Sequence, residues 1–158
     1  MKKVLKWLGI IGGALVGVIL LALAGLYLSA EFRFNKSYAI TPEPVTIPTD
    51  AASLESGKHW AAVHCQGCHS EDYGGGPFFE DPALGHVDAP NLTSGKGGIG
   101  AAYTDADWVR AIRHGVKANG QSVFIMPSSA FYYLSEADLG SVIAYLQSLP
   151  PVDRETRP

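Results

Sequence analysis

The chain has 158 residues, with 12 Lys and Arg against 15 Asp and Glu, and its formal net charge is −3. Three of the basic residues, Lys2, Lys3 and Lys6, lie at the N-terminus, so residues 31–158 carry a net charge of −6. The length allows one ordinary domain with an appendage. The acidic balance argues against a nucleic-acid partner.

The N-terminal segment is predicted to be a transmembrane helix. Residues 7–30 run for 24 residues without a charge, and about 20 apolar helical residues cross a hydrocarbon core about 30 Å thick. The lysines before this run predict a cytoplasmic N-terminus. We therefore predict a single-pass anchor at residues 1–30 in a bacterial inner membrane, with the rest of the chain in the periplasm.

A cleaved signal peptide is the alternative for this segment. Ala22-Leu23-Ala24 matches a small-x-small cleavage site. We favour the uncleaved anchor, because the apolar run exceeds the usual length of a signal peptide and continues past this site to Ala30.

Residues 31–52 are predicted to be a proline-rich linker. Pro42, Pro44 and Pro48 do not suit a continuous helix, because proline lacks a backbone N–H and clashes with the preceding turn. An extended linker of this length would reach on the order of 60 Å, which would separate the domain from the bilayer. The alternative is a linker that packs against a partner and never swings free.

A domain is predicted at residues 53–151, with three main helices. Asp50 or Ser53 can cap the first, which leads to a pair of cysteines. Thr104 caps the second and Gly115 ends it. The last helix begins at a Ser135 cap, has apolar residues at helical spacing and ends before two prolines. Residues 152–158 are predicted to be a charged, frayed tail.

The motif Cys65-Gln66-Gly67-Cys68-His69 predicts covalent attachment of haem. Both thiols would add to the vinyl groups of the porphyrin, and the imidazole that follows would bind the iron. The chain has only two cysteines, so the predicted cofactor is one haem c. His69 is the first predicted iron ligand.

Two other interpretations of the cysteines stay open. Cys-x-x-Cys also occurs as a thiol–disulfide redox motif, but that motif is expected near a βαβ pattern, which we do not find in the sequence. Half of a structural zinc site is the other interpretation, but such a site needs four ligands. The long stretch at residues 70–103, rich in Gly and Pro, favours haem, because a large prosthetic group would give such a loop something to pack on.

Met126 is the predicted second iron ligand. The only other methionine is Met1, at the cytoplasmic end of the predicted anchor. Met126 lies between two predicted helices, directly before a proline that restricts its backbone. His86 and His114 are alternative ligands. With His and Met in both axial positions, the iron would suit electron transfer and offer no open site for a substrate.

Together the motifs resemble class I c-type cytochromes over residues 53–150. They are Cys-x-x-Cys-His, the APNLT stretch at residues 89–93, Met126-Pro127 and the amphipathic last helix with Tyr145. The chain is most similar to cytochrome domains of membrane-bound dehydrogenases. The resemblance implies an all-α cytochrome c fold around one covalent haem, here preceded by one transmembrane helix.

The resemblance also implies roles for residues outside the motif. The Pro90 carbonyl would accept a hydrogen bond from His69, and Gly57 would let the ring of Tyr145 pack closely. Arg113 would neutralise a haem propionate together with an aromatic donor, Tyr103 or Trp108. A plain surface arginine is the alternative for Arg113.

We therefore predict a membrane-anchored monohaem c-type cytochrome that carries single electrons on the periplasmic side. The expected partners are redox proteins: a quinol–cytochrome c reductase, a terminal oxidase or a dehydrogenase. No small-molecule substrate and no catalytic cycle of its own are expected. The alternatives are a haem subunit fixed in a larger oxidoreductase or respiratory supercomplex, and a gas-binding haem sensor.

Overall fold

The structure, a computed structural model, describes residues 2–83 and 85–157. The chain divides into two compact units, the first ending at Tyr38 and the second beginning at Ala39. Met1, the first residue of the predicted anchor, and Pro158, the last residue of the predicted tail, lie outside the described residues.

The first unit is built on one long helix, α1, at Lys2–Phe34. Its large apolar side chains, such as Leu21 at 75 %, are exposed along its length. The helix is long and apolar enough to cross a membrane, although a signal sequence near an N-terminus meets the same description. It continues past the predicted end at Ala30, because the next four residues contain neither proline nor glycine.

The described part of the second unit contains five helices: α2 at Ala51–His64, α3 at Gln66–His69, α4 at Asp105–His114, α5 at Ser128–Phe131 and α6 at Glu136–Gln147. The predicted caps are present. Asp50 accepts a hydrogen bond from the Ser53 amide at 2.9 Å, and Thr104 forms a capping box with Asp107. Gly115 ends α4 in the left-handed conformation, with φ of 67°.

A β-hairpin lies inside the region that was expected to be loop. Strands β1 (Gly76–Asp81) and β2 (Gly85–Ala89) pair antiparallel, with Gly76 opposite Ala89 and Glu80 opposite His86. The prediction of an all-α domain is therefore not confirmed. Gly and Pro suggested a loop here, but Phe78, Phe79 and Val87 favour strands.

The second unit is held together by the crossing of α2 and α6. Gly57 of α2 lies so close to α6 that a Cβ there would be 1.9 Å from the Ser141 carbonyl oxygen and 3.1 Å from Tyr145 Cβ. The close approach expected at Gly57 is thus present, but the backbone of Ser141 makes it. The Tyr145 ring packs edge to face on Tyr73, with ring centroids 5.8 Å apart.

The proline-rich segment is docked on the domain from Ala39 onward. Glu43 forms an ion pair with Arg113, and its second carboxylate oxygen lies 3.0 Å from His114 Nε2. Arg110 Nε donates to the Ile40 carbonyl at 3.0 Å. The freely extended tether expected from the prolines is therefore not what the structure shows, because partners far along the chain hold this segment.

The apolar side of the same segment adds to this docking. Val45 and Ile47 pack against the core cluster, and the Thr46 carbonyl oxygen would be 2.3 Å from a Cβ on Gly140 of α6. Residues 35–38 connect the end of α1 to the start of the second unit. The prediction of a frayed tail is also wrong, since residues 152–157 are hydrogen-bonded to the domain. For example, the side-chain amide of Asn91 donates to the Val152 carbonyl at 2.7 Å.

We expect Gly57→Ala to lower the free energy of unfolding by about 2 kcal/mol, because the added methyl group forces α2 and α6 apart. Chemical denaturation of the full-length protein measures this. Gly67→Ala is the matched control, because a Cβ on that helical residue would meet nothing within 4 Å. Equal stabilities of the two variants would contradict the tight crossing.

We expect Glu43→Gln to loosen residues 39–49 and to lower stability by about 1 kcal/mol at neutral pH, a small value because the side chain is 38 % exposed. Hydrogen bonding to Arg113 is the main reason why the pKa of Glu43 falls from 4.5 to about 2. The stabilisation is therefore complete above pH 4.5 and is lost as the pH falls towards 2. Thermal unfolding across this range, with hydrogen exchange of the segment, tests the expectation.

Glu55→Gln is the control for this experiment, since Glu55 is exposed and pairs with Lys58 at 3.6 Å on one helix. It should leave both stability and exchange nearly unchanged. If Glu43→Gln behaved like this control at every pH, the ion pair with Arg113 would not be what holds the segment.

Candidate functional site

A cavity of about 580 Å³ lies in the second unit, between the end of α2, the hairpin and the segment that joins α4 to α6. Its walls bring together five residues that are widely spaced in the sequence: Cys65, Cys68, His69, Pro90 and Met126. Most of the remaining lining is apolar, including Leu92, Ile99, Ile112, Val142 and Leu146. The structure thus gathers five of the six predicted site residues around one apolar space.

The two cysteines lie on a helical turn at one wall. The Cys65 amide closes α2 on the Ala61 carbonyl at 2.8 Å, and the His69 amide closes α3 on the Cys65 carbonyl at 2.9 Å. Both thiols are free and partly buried. Burial, followed by the nearby Cys68, raises the pKa of Cys65 to about 11. A thiol that stays protonated at neutral pH is a poor nucleophile, which weighs against thiol–disulfide exchange chemistry.

The imidazole of His69 is oriented by a hydrogen bond from its Nδ1 to the Pro90 carbonyl oxygen, at 2.9 Å. A carbonyl can only accept, so Nδ1 carries the proton and Nε2 is the nitrogen left with a lone pair. Burial lowers the pKa of His69, although the Pro90 carbonyl opposes this effect. A neutral ring of this tautomer is what a metal requires of a histidine ligand.

Gly75 positions the Pro90 carbonyl, a role that was not predicted. Its φ is +70°, and a Cβ there would be 2.3 Å from the Ala89 carbonyl oxygen and 2.6 Å from the Pro90 carbonyl carbon. Only glycine suits both the left-handed backbone and this approach. The run Gly74-Gly75-Gly76 was the available signal, but it indicated only a loop.

Met126 lies on the same cavity, half-buried and packed against the core cluster. The two alternative iron ligands, His86 and His114, differ in their position relative to the cavity. His86 also lines the cavity, whereas His114 does not and is instead hydrogen-bonded to Glu43. His64 lines the cavity too and stacks on Trp60, with ring centroids 5.1 Å apart.

Arg113 is the one predicted site residue that the structure does not place on this cavity. Its guanidinium is buried, pairs with Glu43 and donates to the Leu134 carbonyl at 2.6 Å. The cationic side chains that do line the cavity are Lys117 and Arg157. A propionate role for Arg113 therefore has no support in this geometry.

The two aromatic residues predicted alongside Arg113 do line the cavity. Trp108 and Tyr103 pack edge to face, with centroids 5.3 Å apart. Trp108 is 2 % exposed, and its Nε1 is buried without a hydrogen-bond partner among the described residues. A buried donor of this kind needs an acceptor.

These features fit a haem c. The cavity is lined mainly by apolar side chains, as a porphyrin requires. Two thiols stand on one wall, next to an imidazole whose Nε2 keeps its lone pair for a metal. The indole N–H of Trp108, which lacks an acceptor within the described part of the chain, suits a haem carboxylate.

Comparison with known proteins agrees with this fit. The cytochrome c family model matches residues 54–150, more than half of the chain. The chain belongs to the cytochrome c family, whose members carry covalent haem c.

The similar proteins include cytochrome subunits of dehydrogenases. The chain is 31 % identical to the fructose dehydrogenase cytochrome subunit of Gluconobacter japonicus over 70 % of its length. It is 30 % identical to the cytochrome c subunit of the quinone-dependent alcohol dehydrogenase of Gluconacetobacter polyoxogenes over 78 % of its length. It is 32 % identical to the gluconate 2-dehydrogenase cytochrome c subunit of Pantoea cypripedii over 64 %. The chain covers 24 %, 27 % and 24 % of these three relatives, respectively.

Proposed function

We propose that this chain is a membrane-anchored, monohaem c-type cytochrome that carries single electrons between redox proteins on the periplasmic side of a bacterial inner membrane. One observation carries the proposal: the cavity brings the Cys65 and Cys68 thiols, the oriented imidazole of His69 and the thioether of Met126 to one apolar space. In this proposal the cysteines would attach one haem c covalently, and His69 and Met126 would hold its iron.

Each of these residues has a separate task. Haem c supplies a one-electron iron couple when bound, and His/Met ligation raises its potential. The Pro90 carbonyl fixes the His69 tautomer and raises the basicity of the ring. Met126 would be the second protein ligand of the iron, which would leave no place there for a substrate or a gas. The apolar walls keep water out, so little solvent has to reorient when the charge of the site changes.

The polar residues of the lining would hold the haem carboxylates. Trp108 Nε1 is a buried donor without a partner among the described residues, and Lys117 is a cation on the cavity wall, whereas the guanidinium of Arg157 is already engaged by Asp88 and Glu80. Tyr103 stands beside Trp108 at the same end. Arg113 is left out of this assignment, because Glu43 and the Leu134 carbonyl already occupy its guanidinium.

The proposed anchor is α1, with the lysines at its start in the cytoplasm by the positive-inside rule. Because the second unit begins at Ala39, only residues 35–38 join it to this helix. An extended segment of that length spans about 13 Å, far less than the roughly 60 Å expected for a fully extended linker.

This short connection favours a second candidate function, a haem subunit fixed in a larger oxidoreductase. A long mobile linker would suit a shuttle between distant partners, whereas a short one suits a single neighbour. Relatives named as cytochrome subunits of dehydrogenases support a dehydrogenase as that neighbour. A quinol–cytochrome c reductase and a terminal oxidase are the partners proposed for the shuttle.

Met126→Ala should abolish the weak near-infrared absorption band of an iron–thioether bond and lower the midpoint potential, because the thioether that raises this potential is lost. The variant should also bind carbon monoxide rapidly in the reduced state, which the parent protein should not. His86→Gln is the matched control, since His86 lines the same cavity, and it should keep the band. A parent protein that bound carbon monoxide rapidly would favour the gas sensor.

The double variant Cys65→Ala and Cys68→Ala completes this set. It should retain no haem after denaturation, whereas Met126→Ala should retain it covalently. Survival of the near-infrared band in Met126→Ala, with an unchanged potential, would reject Met126 as the ligand.

Purification in mild detergent tests the choice between shuttle and fixed subunit. A fixed subunit should keep a stoichiometric oxidoreductase at both low and high salt, because its contacts are not screened by salt. Mass spectrometry of the purified complex identifies the partner. Recovery of the chain alone at high salt, after association at low salt, would instead support the shuttle.

A further inference from the structure

Residues 152–157, here called the strap, run across one wall of the cavity and are bound at three points. The first point is buried. The side-chain amide of Asn91 donates to the Val152 carbonyl at 2.7 Å, and the Val152 amide donates to Thr93 Oγ1 at 2.9 Å. Asn91 and Thr93 are both fully buried. The start of the strap thus supplies an acceptor to the buried side-chain amide of Asn91 and a donor to the buried hydroxyl of Thr93.

The second point is Arg154. Its guanidinium makes two hydrogen bonds to the Asp72 carboxylate, at 3.0 and 2.7 Å, and a third to the Gly75 carbonyl at 3.0 Å. Gly75 is the left-handed residue on which the Ala89 and Pro90 backbone rests. Arg154 therefore fastens the strap to the residue that supports the Pro90 carbonyl.

The third point is Arg157, which forms hydrogen bonds to both strands of the hairpin. Its side chain donates to both carboxylate oxygens of Asp88 on β2, at 2.8 to 3.2 Å, and to Glu80 on β1 at 3.3 Å. Its backbone amide adds a bond to Asp88 at 2.9 Å. The Asp88 side chain is 5 % exposed and that of Arg157 is 41 % exposed, so the carboxylate end of this pair is the shielded one.

We propose that the strap is a positioning element for His69, with Arg157 as its main positioning residue. Asp88 is two residues before Pro90, and Gly75 lies against the Pro90 carbonyl carbon, so the second and third points hold this backbone from two sides. The carbonyl they hold is the acceptor for His69 Nδ1. The inference rests on the proposed role of His69 as an iron ligand.

The consequence is an effect on the iron through the imidazole. A hydrogen bond from Nδ1 to a well-placed carbonyl raises the basicity of the ring, which favours the oxidised iron. If the strap is released, the hydrogen bond weakens and the midpoint potential rises. A strap that only stabilised the fold would leave the potential unchanged.

The test uses the full-length, haem-loaded protein in detergent and the variant Arg157→Lys. Lysine keeps the positive charge at this position, and therefore the electrostatic effect of that charge on the iron. It loses the bidentate hydrogen bonding of the guanidinium to Asp88. We expect hydrogen exchange of residues 85–91 to become about tenfold faster and the midpoint potential to rise. Glu155→Gln is the matched control, because Glu155 lies on the same strap but makes only an exposed pair with Lys96 at 3.0 Å.

Arg154→Lys repeats the test at the second point if Arg157→Lys fails to fold, again with the charge kept. Faster exchange with an unchanged potential would overturn the positioning role, and unchanged exchange would show that the strap does not hold the hairpin. Both of these results presuppose normal haem content. Failure of the proposed function is distinct, because the parent protein would then lack covalent haem or its near-infrared iron–thioether band.

Discussion

The hydrogen bond between His69 Nδ1 and the Pro90 carbonyl is the constraint on which the site depends. It joins residues from two sides of the cavity at 2.9 Å, and it decides which ring nitrogen is free. Several features of the fold serve it. Gly75 allows the Pro90 backbone to approach, the helical turn of α3 presents the ring, and the strap holds the segment that carries the acceptor.

The local parts of this design were predictable from the sequence. The cysteine motif, the caps at Asp50, Thr104 and Ser135, and the left-handed Gly115 all depend on residues within one or two turns of each other. The prediction that Pro90 would meet His69 came from family resemblance rather than from spacing. Met126 was predicted by elimination, and the structure places it on the cavity.

The parts that the sequence did not reveal are long-range polar contacts. Arg113 finds Glu43 in a segment that looked like a free linker, and Arg157 finds Asp88 from a segment that looked frayed. A charged residue shows no periodicity that identifies its partner, so such pairs are visible only in three dimensions. The hairpin was missed for a related reason: the glycines and prolines around it indicated turns, and its two strands are short.

The crossing of α2 and α6 at Gly57 and Ser141 has a consequence for the order of folding. These helices lie at opposite ends of the domain sequence, and the Ser141 backbone of α6 lies directly against Gly57 of α2, which has no Cβ. A contact between such distant positions closes a long loop and cannot form before both helices exist. The cysteines follow directly after α2, so they are synthesised well before α6 exists. We expect a chain in this interval to be open at the cysteines, and the arrival of α6 to close the domain over whatever has been attached there.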